Sequence, residues 1–518
     1  MTTASPPPVA SAASAAARTR SLLRQFTHSD QAGSAWLGCL GALLITTGGL
    51  GAGSVRIQDP LLEDLHMSWL RFGHGLVLST VMLWTGVALM LAAWLGLGRR
   101  VIGGTATEYS LIITTGFWLA PLLLSVPVFS RDTYSYLAQG ALLRDGLDPY
   151  QAGPVDNPNP LLDNVSPIWS ATTAPYGPAF IMVAKFVTML VGDNVVAGTM
   201  VLRLCMLPGL ALLIWAAPRL ARRVGGNGPT ALYLAVLNPL VILHLMGGVH
   251  NEMLMVGLVI SGIAVTLDRH PLAGITLVAL AAAVKATAAI ALPFLVWVWM
   301  RKLCQDHNYS RARAFAAASA MSAMLVVAVF AVLSTLAGVG LGWLTALLAG
   351  NVRIINWLTV PTAAANLIHG LGGLFVSVSF YTVLRVTRAV GIVVIAVALP
   401  LLWWRFRRDD RAVVSGIAWA MLVVVMFVPA ALPWYYTWPL AVAATLVTSP
   451  SEIAAIAAGS TWIMLIFKPD GSHGMYSWLH VIGATGCALF AWFRLSTVPQ
   501  APAPPVRNPA DRRSRLAP

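Results

Sequence analysis

An Arg-Asp pair, Arg131-Asp132, directly follows an apolar segment that ends near residue 128. A carboxylate in such a place is partly removed from water, and a positive charge beside it favours its ionised form. A partly desolvated carboxylate can take a proton from a hydroxyl group, as a general base must. Asp132 is therefore the candidate base. A salt bridge that merely ends the helix fits the spacing equally well.

More polar and aromatic side chains follow in the same segment. Asp145 and Asp148 lie among Gly and Pro turn residues, and Tyr150, Trp169 and Tyr176 supply aromatic rings. Sugars present hydroxyl groups on one face and C–H groups on the other, so sugar sites combine carboxylates with aromatic rings. The alternative for any one of these residues is a hydrated, turn-rich loop. Only the whole set indicates a sugar site.

A second polar motif, His250-Asn251-Glu252, follows a Gly-Gly pair between two apolar segments. These side chains can hydrogen-bond a hydroxylated or phosphorylated substrate, although Asn251 can also simply cap a helix. His250 and Glu252 could ligate a metal, but they do not form a helical i, i+4 pair and no third ligand is evident. We therefore predict no metal site and no cofactor.

Cations inside apolar segments are candidate phosphate ligands. Lys285 lies in an otherwise apolar stretch, where its partner is either a lipid phosphate or, by snorkelling, the membrane surface. Arg203 within an apolar segment and Arg353 beside two asparagines are further candidates. Trp434 and Tyr435 fit an aromatic belt better than a platform for sugar rings.

The composition identifies the environment of these residues. Of 518 residues, 58% are hydrophobic and 10% are charged, which excludes a water-soluble surface and indicates a polytopic membrane protein. The net charge of +14 would suggest nucleic acid in a soluble protein. Here the basic residues lie mainly between apolar segments, so they indicate topology, and we predict no nucleic-acid partner.

The apolar runs predict an all-helical domain, 36–495, that crosses the membrane about fourteen times between two cytoplasmic termini. Residues 1–35 form a predicted disordered tail and 496–518 a basic, Pro-rich tail. Two long outer segments remain, a catalytic loop at 129–194 and a second segment at 337–381. The predicted spans are 36–53, 74–97, 109–128, 195–217, 230–247, 252–267, two short passes within 271–300, 314–336, 387–404, 412–430, 435–448, 453–467 and 477–495.

A single helix over residues 271–300 would be longer than the hydrocarbon core of a membrane is thick. Two helices over the same residues would each be shorter than a usual transmembrane helix. One pass would place Arg301 and Lys302 on the opposite side of the membrane from Arg269. Two short passes keep these cations together on the cytoplasmic side and place Lys285 near the outer turn, so the charge asymmetry favours two.

Several of these motifs together resemble a known family. The Arg131-Asp132 motif is similar to the acidic outer loop of integral-membrane glycosyltransferases of the GT-C superfamily. As a set, the motifs resemble the α-(1→6)-mannopyranosyltransferase A family of actinobacteria over residues 36–465. The matching stretches include Gly51–Arg56, His66–Gly75, Ser130–Gly140, Pro175–Pro178, Gly247–Glu252, Ile355–Pro361 and Leu432–Tyr436.

This resemblance implies a polyprenyl-phosphate mannose donor and a lipid-anchored acceptor, the α-1,6-mannan backbone of lipomannan and lipoarabinomannan. It implies Asp132 as the base, in a plasma-membrane enzyme with a periplasmic active site among membrane lipids. A second acid would be Asp145 or Asp148, and the phosphate contacts Lys285, Arg203 or His250. The predicted substrate-binding residues are Arg131, Tyr134, Asp145, Asp148, Tyr176, Arg203, His250, Asn251, Glu252, Lys285, Arg353, Trp434 and Tyr435.

Two other classes of protein fit a chain with many spans and buried ionic residues. A transporter or flippase of a lipid-linked sugar is the main alternative, because carriers share these features. We find no inverted or parallel repeat in the sequence, and the long outer loop is asymmetric, so the enzyme is favoured. A purely structural membrane protein would leave Asp132 and Lys285 unexplained.

Overall fold

The computed structural model describes residues 26, 32–57, 59–344, 354–375, 377 and 379–499. Within them the regular structure is helical, apart from a single β-bridge between Phe467 and His473. The predicted all-helical fold class is therefore confirmed. The predicted tails, 1–35 and 496–518, lie outside the described residues except for Phe26 and their inner ends, where the first long helix begins at Ala32 and the last ends at Ser496.

Between Ala32 and Ala235 the described residues form nine α-helices, and Asp132 is the first residue of the fifth. In chain order they are α1 (Ala32–Ala52), α2 (Pro60–Asp64), α3 (Gly73–Ile102), α4 (Glu108–Leu122), α5 (Asp132–Arg144), α6 (Pro167–Ser170), α7 (Pro178–Val191), α8 (Val195–Arg223) and α9 (Gly228–Ala235). A π-helix, Leu240–Gly247, follows α9 at a bend of 50°.

The remaining helices complete the bundle. They are α10 (Glu252–Leu267), α11 (Pro271–Val284), α12 (Leu292–His307), α13 (Arg311–Ala337), α14 (Val360–Gly372), α15 (Phe380–Arg405), α16 (Asp410–Phe427), α17 (Thr437–Ala443), α18 (Pro450–Ile466) and α19 (Trp478–Ser496). Two 3₁₀ segments precede α12 and α17, at Ala286–Ala291 and Pro433–Tyr436.

The length and composition of these helices suit a membrane. Among the described residues, eight helices are long and apolar enough to cross one, or up to nine if the bent pair α9 and Leu240–Gly247 is one span. Four shorter apolar helices, α7, α10, α11 and α18, accompany them. Each predicted span overlaps a helical segment of the structure. The count of fourteen crossings stays a prediction.

The stretch after Arg269 folds as two short helices, as predicted from its charges. The backbone of Lys285 is extended, which separates α11 from the following helical segment. Arg269, just before α11, forms an ion pair with Asp306 near the end of α12. The chain therefore returns to the end of the bundle from which it started.

Charged residues gather at one end of the bundle. There, at the first residue of α16, Asp410 bonds Arg301 at 2.7 Å and Arg223 at 3.3 Å. Because α16 has 18 residues, its other end lies about 27 Å away, close to Trp434. We call Arg223, Arg301 and their shared partner Asp410 the cationic cluster. This cluster and Trp434 lie at opposite ends of the bundle, as the predicted topology requires.

Candidate active site

Four chain breaks meet at the end of the bundle opposite the cationic cluster. The first residue of α5 is Asp132, the turn before α10 carries His250, and the first residue of α10 is Glu252. Lys285 lies in the extended break between α11 and the next 3₁₀ segment, and Trp434 lies in the 3₁₀ turn before α17. We call this group the Asp132 cluster. It unites residues that the sequence places more than 300 positions apart.

Asp132 is almost buried, with 12% of its side-chain surface exposed. It lies outside the candidate membrane spans, at the start of α5. Burial, followed by the negative charge of Glu252, raises the pKa of Asp132 to about 7, while Lys285 and hydrogen bonds from Trp169 and Ser130 oppose the rise. A carboxyl group with a pKa near the working pH is well suited to accept and release a proton.

The expected pairing of Asp132 with Arg131 is wrong. Arg131 donates from Nη1 to the carbonyl oxygen of Val55 at 3.0 Å and from Nη2 to that of Asn164 at 2.9 Å. Its guanidinium group also lies 5.1 Å from the ring centroid of Tyr134. Arg131 therefore connects the segment that follows α1 to the loop between α5 and α6. The cation that acts on Asp132 is Lys285.

His250 lies between the two carboxylates of the cluster. Its Nδ1 is 3.8 Å from Oδ2 of Asp132 and 4.0 Å from Oε2 of Glu252, and the Tyr136 hydroxyl is 3.3 Å from the same nitrogen. The imidazole stacks on Trp434 with ring centroids 3.8 Å apart. This stacking fixes the plane of the ring and directs Nδ1 towards the carboxylates.

Lys285 has a partner within the protein. Its ammonium group forms an ion pair with the buried Glu252. Three aromatic rings surround it, with centroids at 4.2 Å for Tyr435, 5.2 Å for Trp438 and 5.8 Å for Tyr176. Neither predicted partner, a lipid phosphate or the membrane surface, is needed to explain how this cation is accommodated.

Close backbone contacts hold these segments in register. Gly177 donates its N–H to the carbonyl oxygen of Val284 at 3.2 Å, and a Cβ on Gly177 would lie 2.2 Å from the carbonyl oxygen of Ala283. Only glycine therefore brings Tyr176 and Lys285 together. Thr133 donates to the carbonyl oxygen of Gly248 at 2.8 Å, which joins α5 to the turn that carries His250.

The backbone beside the cluster is in an unusual conformation at two non-glycine residues. Phe129 has φ of 67° and Val249 has φ of 58°. Both have a side chain that disfavours positive φ, and such residues concentrate at functional sites, where surrounding contacts hold them. Phe129 is held by a hydrogen bond from its N–H to the carbonyl oxygen of Pro469, 2.8 Å long.

Several predicted substrate ligands have other roles in the structure. Arg203 is fully buried and donates to the carbonyl oxygens of Met246 at 3.0 Å, Leu123 at 2.8 Å and Gly247 at 3.2 Å. Its guanidinium group therefore stabilises the end of the π-helix. The Tyr134 hydroxyl donates to the carbonyl oxygen of Ser54. Neither side chain belongs to the Asp132 cluster.

The two other predicted acids, Asp145 and Asp148, form hydrogen bonds with residues of their own loop. Asp145 accepts hydrogen bonds from Arg144 at 2.7 Å and Asn157 at 2.9 Å, and the Arg144 bonds lower its pKa. Asp148 accepts from the backbone N–H of Tyr150 at 2.9 Å, as in an Asx turn. Neither carboxylate joins Asp132. Arg353 lies outside the described residues.

The aromatic residues of the cluster correct one interpretation. Trp434 and Trp438 are each 3% exposed, so they are part of the site and not of an interfacial belt. Trp438 and Tyr136 were not among the substrate-binding residues predicted from the sequence. Trp438 follows Tyr435 by three residues, the spacing that puts two side chains on one helical face, and this signal could have found it.

Comparison with known proteins identifies the family. A model described as "Alpha-(1->6)-mannopyranosyltransferase, N-terminal domain" matches residues 35–301, and one described as "MptB C-terminal domain" matches residues 361–497. The chain is 68% identical to α-(1→6)-mannopyranosyltransferase A of Mycobacterium tuberculosis, over 98% of this chain and 100% of that protein. It belongs to the α-(1→6)-mannopyranosyltransferase family. The resemblance noted in the sequence is thereby confirmed.

More distant members of the family and one solved structure are also similar. The chain is 36% identical to α-(1→6)-mannopyranosyltransferase A of Corynebacterium glutamicum, over 88% of this chain and 96% of that protein. A solved structure of the oligosaccharyltransferase AglB from Archaeoglobus fulgidus, in complex with an inhibitory peptide and a dolichol-phosphate, aligns at 13% identity and a TM-score of 0.33. It covers 81% of this chain and 56% of that one. A TM-score of 0.33 is too low to identify a shared fold.

Proposed function

We propose that this chain transfers mannose from polyprenyl-phosphate mannose to the growing α-1,6-mannan backbone of lipomannan and lipoarabinomannan. Mannosyl transfer agrees with its membership of the α-(1→6)-mannopyranosyltransferase family. The observation that carries the proposal is the Asp132 cluster itself. It places a carboxyl group with a pKa of about 7 in the same buried group as the cation Lys285.

In the proposed reaction, Asp132 accepts the proton of the acceptor 6-hydroxyl group. The hydroxyl oxygen attacks the anomeric carbon of mannose, and the bond from that carbon to the phosphate oxygen breaks in the same step. A β-linked donor then gives an α-linked product by one inversion, so no mannosyl-enzyme intermediate is needed. Lys285 stabilises the negative charge that develops on the departing polyprenyl phosphate.

The proposed mechanism is written without a divalent metal. Proton acceptance and stabilisation of the leaving phosphate are both assigned to protein side chains. A transporter or flippase of a lipid-linked sugar remains the alternative function, and no observation in the structure favours it over transfer.

Purified protein in detergent tests this function directly. With radiolabelled polyprenyl-phosphate mannose and a short α-1,6-mannoside, we expect a product one mannose longer, also in the presence of EDTA. GDP-mannose should not replace the lipid-linked donor, because the sequence has no Asp-x-Asp motif of the kind that chelates a diphosphate through a metal ion. Transfer from GDP-mannose, or no transfer from the lipid-linked donor, would contradict the proposal.

We also propose that the protein lies in the plasma membrane with the Asp132 cluster on the periplasmic side and the cationic cluster on the cytoplasmic side. The support is the charge asymmetry, since cytoplasmic loops are enriched in Lys and Arg. In a chain with its four cysteines replaced by serine, Asp145→Cys should react with an impermeant maleimide on intact cells. Arg222→Cys should react only after permeabilisation, and its labelling from outside would overturn the orientation.

A further inference from the structure

Glu252 forms an ion pair with Lys285, the cation that the proposed reaction requires to bind the donor phosphate. One of its oxygens, Oε1, accepts from the ammonium group of Lys285, and its side chain is fully buried. The other, Oε2, has no hydrogen-bond partner among the described residues and lies 4.0 Å from Nδ1 of His250. In the ligand-free protein, Lys285 is therefore already neutralised by a carboxylate.

Nearby arginines do not replace Lys285. The guanidinium groups of Arg131 and Arg203 donate to backbone carbonyl oxygens. Arg56 and Arg71 both bond Asp59, at 3.0 and 2.7 Å. A phosphate bound near Asp132 would therefore interact with Lys285, the cation of the cluster. It would compete with Glu252 for the ammonium group.

The charges of the cluster disfavour an added anion. Above pH 7, where Asp132 is mainly ionised, the carboxylates of Asp132 and Glu252 face the single ammonium group of Lys285 in a largely buried site. A donor phosphodiester adds another negative charge, and repulsion between like charges is strong where water is excluded. After transfer, the leaving monoester carries about −1.5 to −2 at pH 7 and binds a cation more strongly than the donor does.

We infer that Glu252 is a counter-ion that competes with the lipid phosphate for Lys285. It yields the ammonium group when the donor binds and takes it back when the polyprenyl phosphate leaves. Glu252 is thus a positioning residue that sets the affinity for the phosphate and speeds the release of the product. This inference rests on the proposed function, because it requires a phosphorylated lipid at Lys285.

The position of Glu252 suits such an exchange. It is the first residue of α10, where the helix dipole stabilises a carboxylate even without a partner. Oε2 also lies 4.0 Å from Nδ1 of the His250 imidazole. A carboxylate that releases Lys285 therefore keeps nearby groups with which it can interact.

The test is the binding of farnesyl phosphate to purified protein by calorimetry. Glu252→Gln keeps the shape of the side chain and removes its charge. Farnesyl phosphate should then bind about tenfold more tightly, because its charged hydrogen bond to Lys285 no longer has to replace an ion pair with Glu252. Farnesol, which lacks the phosphate, should bind both proteins equally. The matched control is Glu108→Gln, which removes the carboxylate that pairs with Arg222 at the far end of the bundle and should leave binding unchanged.

Two further readouts exclude a purely structural effect. Glu252 raises the pKa of Asp132, so in Glu252→Gln the acid limb of the transfer rate should move to lower pH. The KM for the donor should fall together with kcat, because product release becomes slower. If Glu252→Gln does not fold, Glu252→Asp, which keeps the charge on a shorter side chain, should bind farnesyl phosphate with intermediate affinity.

The outcomes separate this inference from the proposed function. If wild-type protein binds farnesyl phosphate and Glu252→Gln binds it equally or more weakly, the counter-ion role is wrong and the proposed donor stands. If neither protein binds farnesyl phosphate, the proposed donor class is wrong and the inference is overturned with it.

Discussion

Asp132→Asn is expected to lower mannosyl transfer by about 10² to 10⁴-fold, the usual contribution of a general base. The amide has the shape of the carboxyl group but cannot accept the proton of the acceptor hydroxyl. Expression and thermal stability should change little, because Asp132 has no ion pair with Arg131 that would be lost. Farnesyl phosphate should bind at least as tightly as to wild type, because the substitution removes one negative charge from the cluster. Turnover per molecule of monodisperse, purified protein is the quantity to measure.

Asp145→Asn is the matched control for this substitution. Asp145 lies in the same loop, but it is exposed and forms hydrogen bonds with Arg144 and Asn157. Its loss should leave turnover within about twofold, because an exposed ion pair contributes only about 0 to 1 kcal/mol to stability and Asp145 does not contact Asp132. If Asp132→Asn kept turnover within about threefold of wild type, far less than the loss of a general base, Asp132 would not be the base.

The pH dependence of the wild-type enzyme gives a second readout of Asp132. A base works only when ionised, and burial raises its pKa to about 7, so kcat/KM should rise with pH through about 7 and level off above it. A carboxyl group with an ordinary pKa near 4 would instead give a flat profile from about pH 5 upward. A profile flat between pH 5.5 and 8 would contradict the assignment of Asp132.

Lys285→Met is expected to have the second largest effect, a weakening of donor and farnesyl phosphate binding of about 10 to 100-fold. The ammonium group is the cation assigned to the phosphate, and a lost charged hydrogen bond is worth about 1.5 to 3 kcal/mol. The KM for the mannoside acceptor should change little. Lys285→Arg should be partly tolerated, because a guanidinium group also binds phosphate and stacks on aromatic rings.

Loss of Lys285 leaves Glu252 buried without its counter-ion, so folding needs its own control. The double variant Lys285→Met, Glu252→Gln removes both charges and should recover thermal stability without recovering phosphate affinity. Lys302→Met removes a cation that pairs with Asp306 at the opposite end and should not affect binding. Equal loss of donor and acceptor affinity in the stable double variant would exclude a phosphate role for Lys285.

The sequence predicted the helices well because their signal is local. Apolar runs of spanning length and the distribution of Lys and Arg need no knowledge of tertiary contacts. The same asymmetry predicted the break at Lys285, which the ion pair between Arg269 and Asp306 supports. The π-helix at Leu240–Gly247 was not predicted, since a segment that is apolar except for His244 has no periodicity to distinguish helix types.

The members of the site were largely predictable, but their partners were not. Asp132, His250 and Lys285 stand out because each is a titratable group in an apolar context. The partner of Lys285 is Glu252, 33 residues away, and this pairing follows from the packing of α10 against α11. Nothing in the local sequence encodes that contact.

Arginines were the least predictable residues. Arg131 and Arg203 carry the charge expected of phosphate or carboxylate ligands, yet both donate to backbone carbonyl oxygens. Helix ends and loops leave such oxygens without partners, and a guanidinium group can satisfy several of them at once. Which acceptor an arginine finds depends on the fold around it.

The anomeric configuration of the new linkage tests the central claim, a direct displacement assisted by Asp132, most directly. Purified enzyme would be supplied with β-linked polyprenyl-phosphate mannose labelled with ¹³C at the anomeric carbon, and with a short α-1,6-mannoside. NMR of the product should show an α linkage to the 6-hydroxyl group, the result of a single inversion. A β-linked product would mean that the configuration is retained, which one displacement at the Asp132 cluster cannot produce.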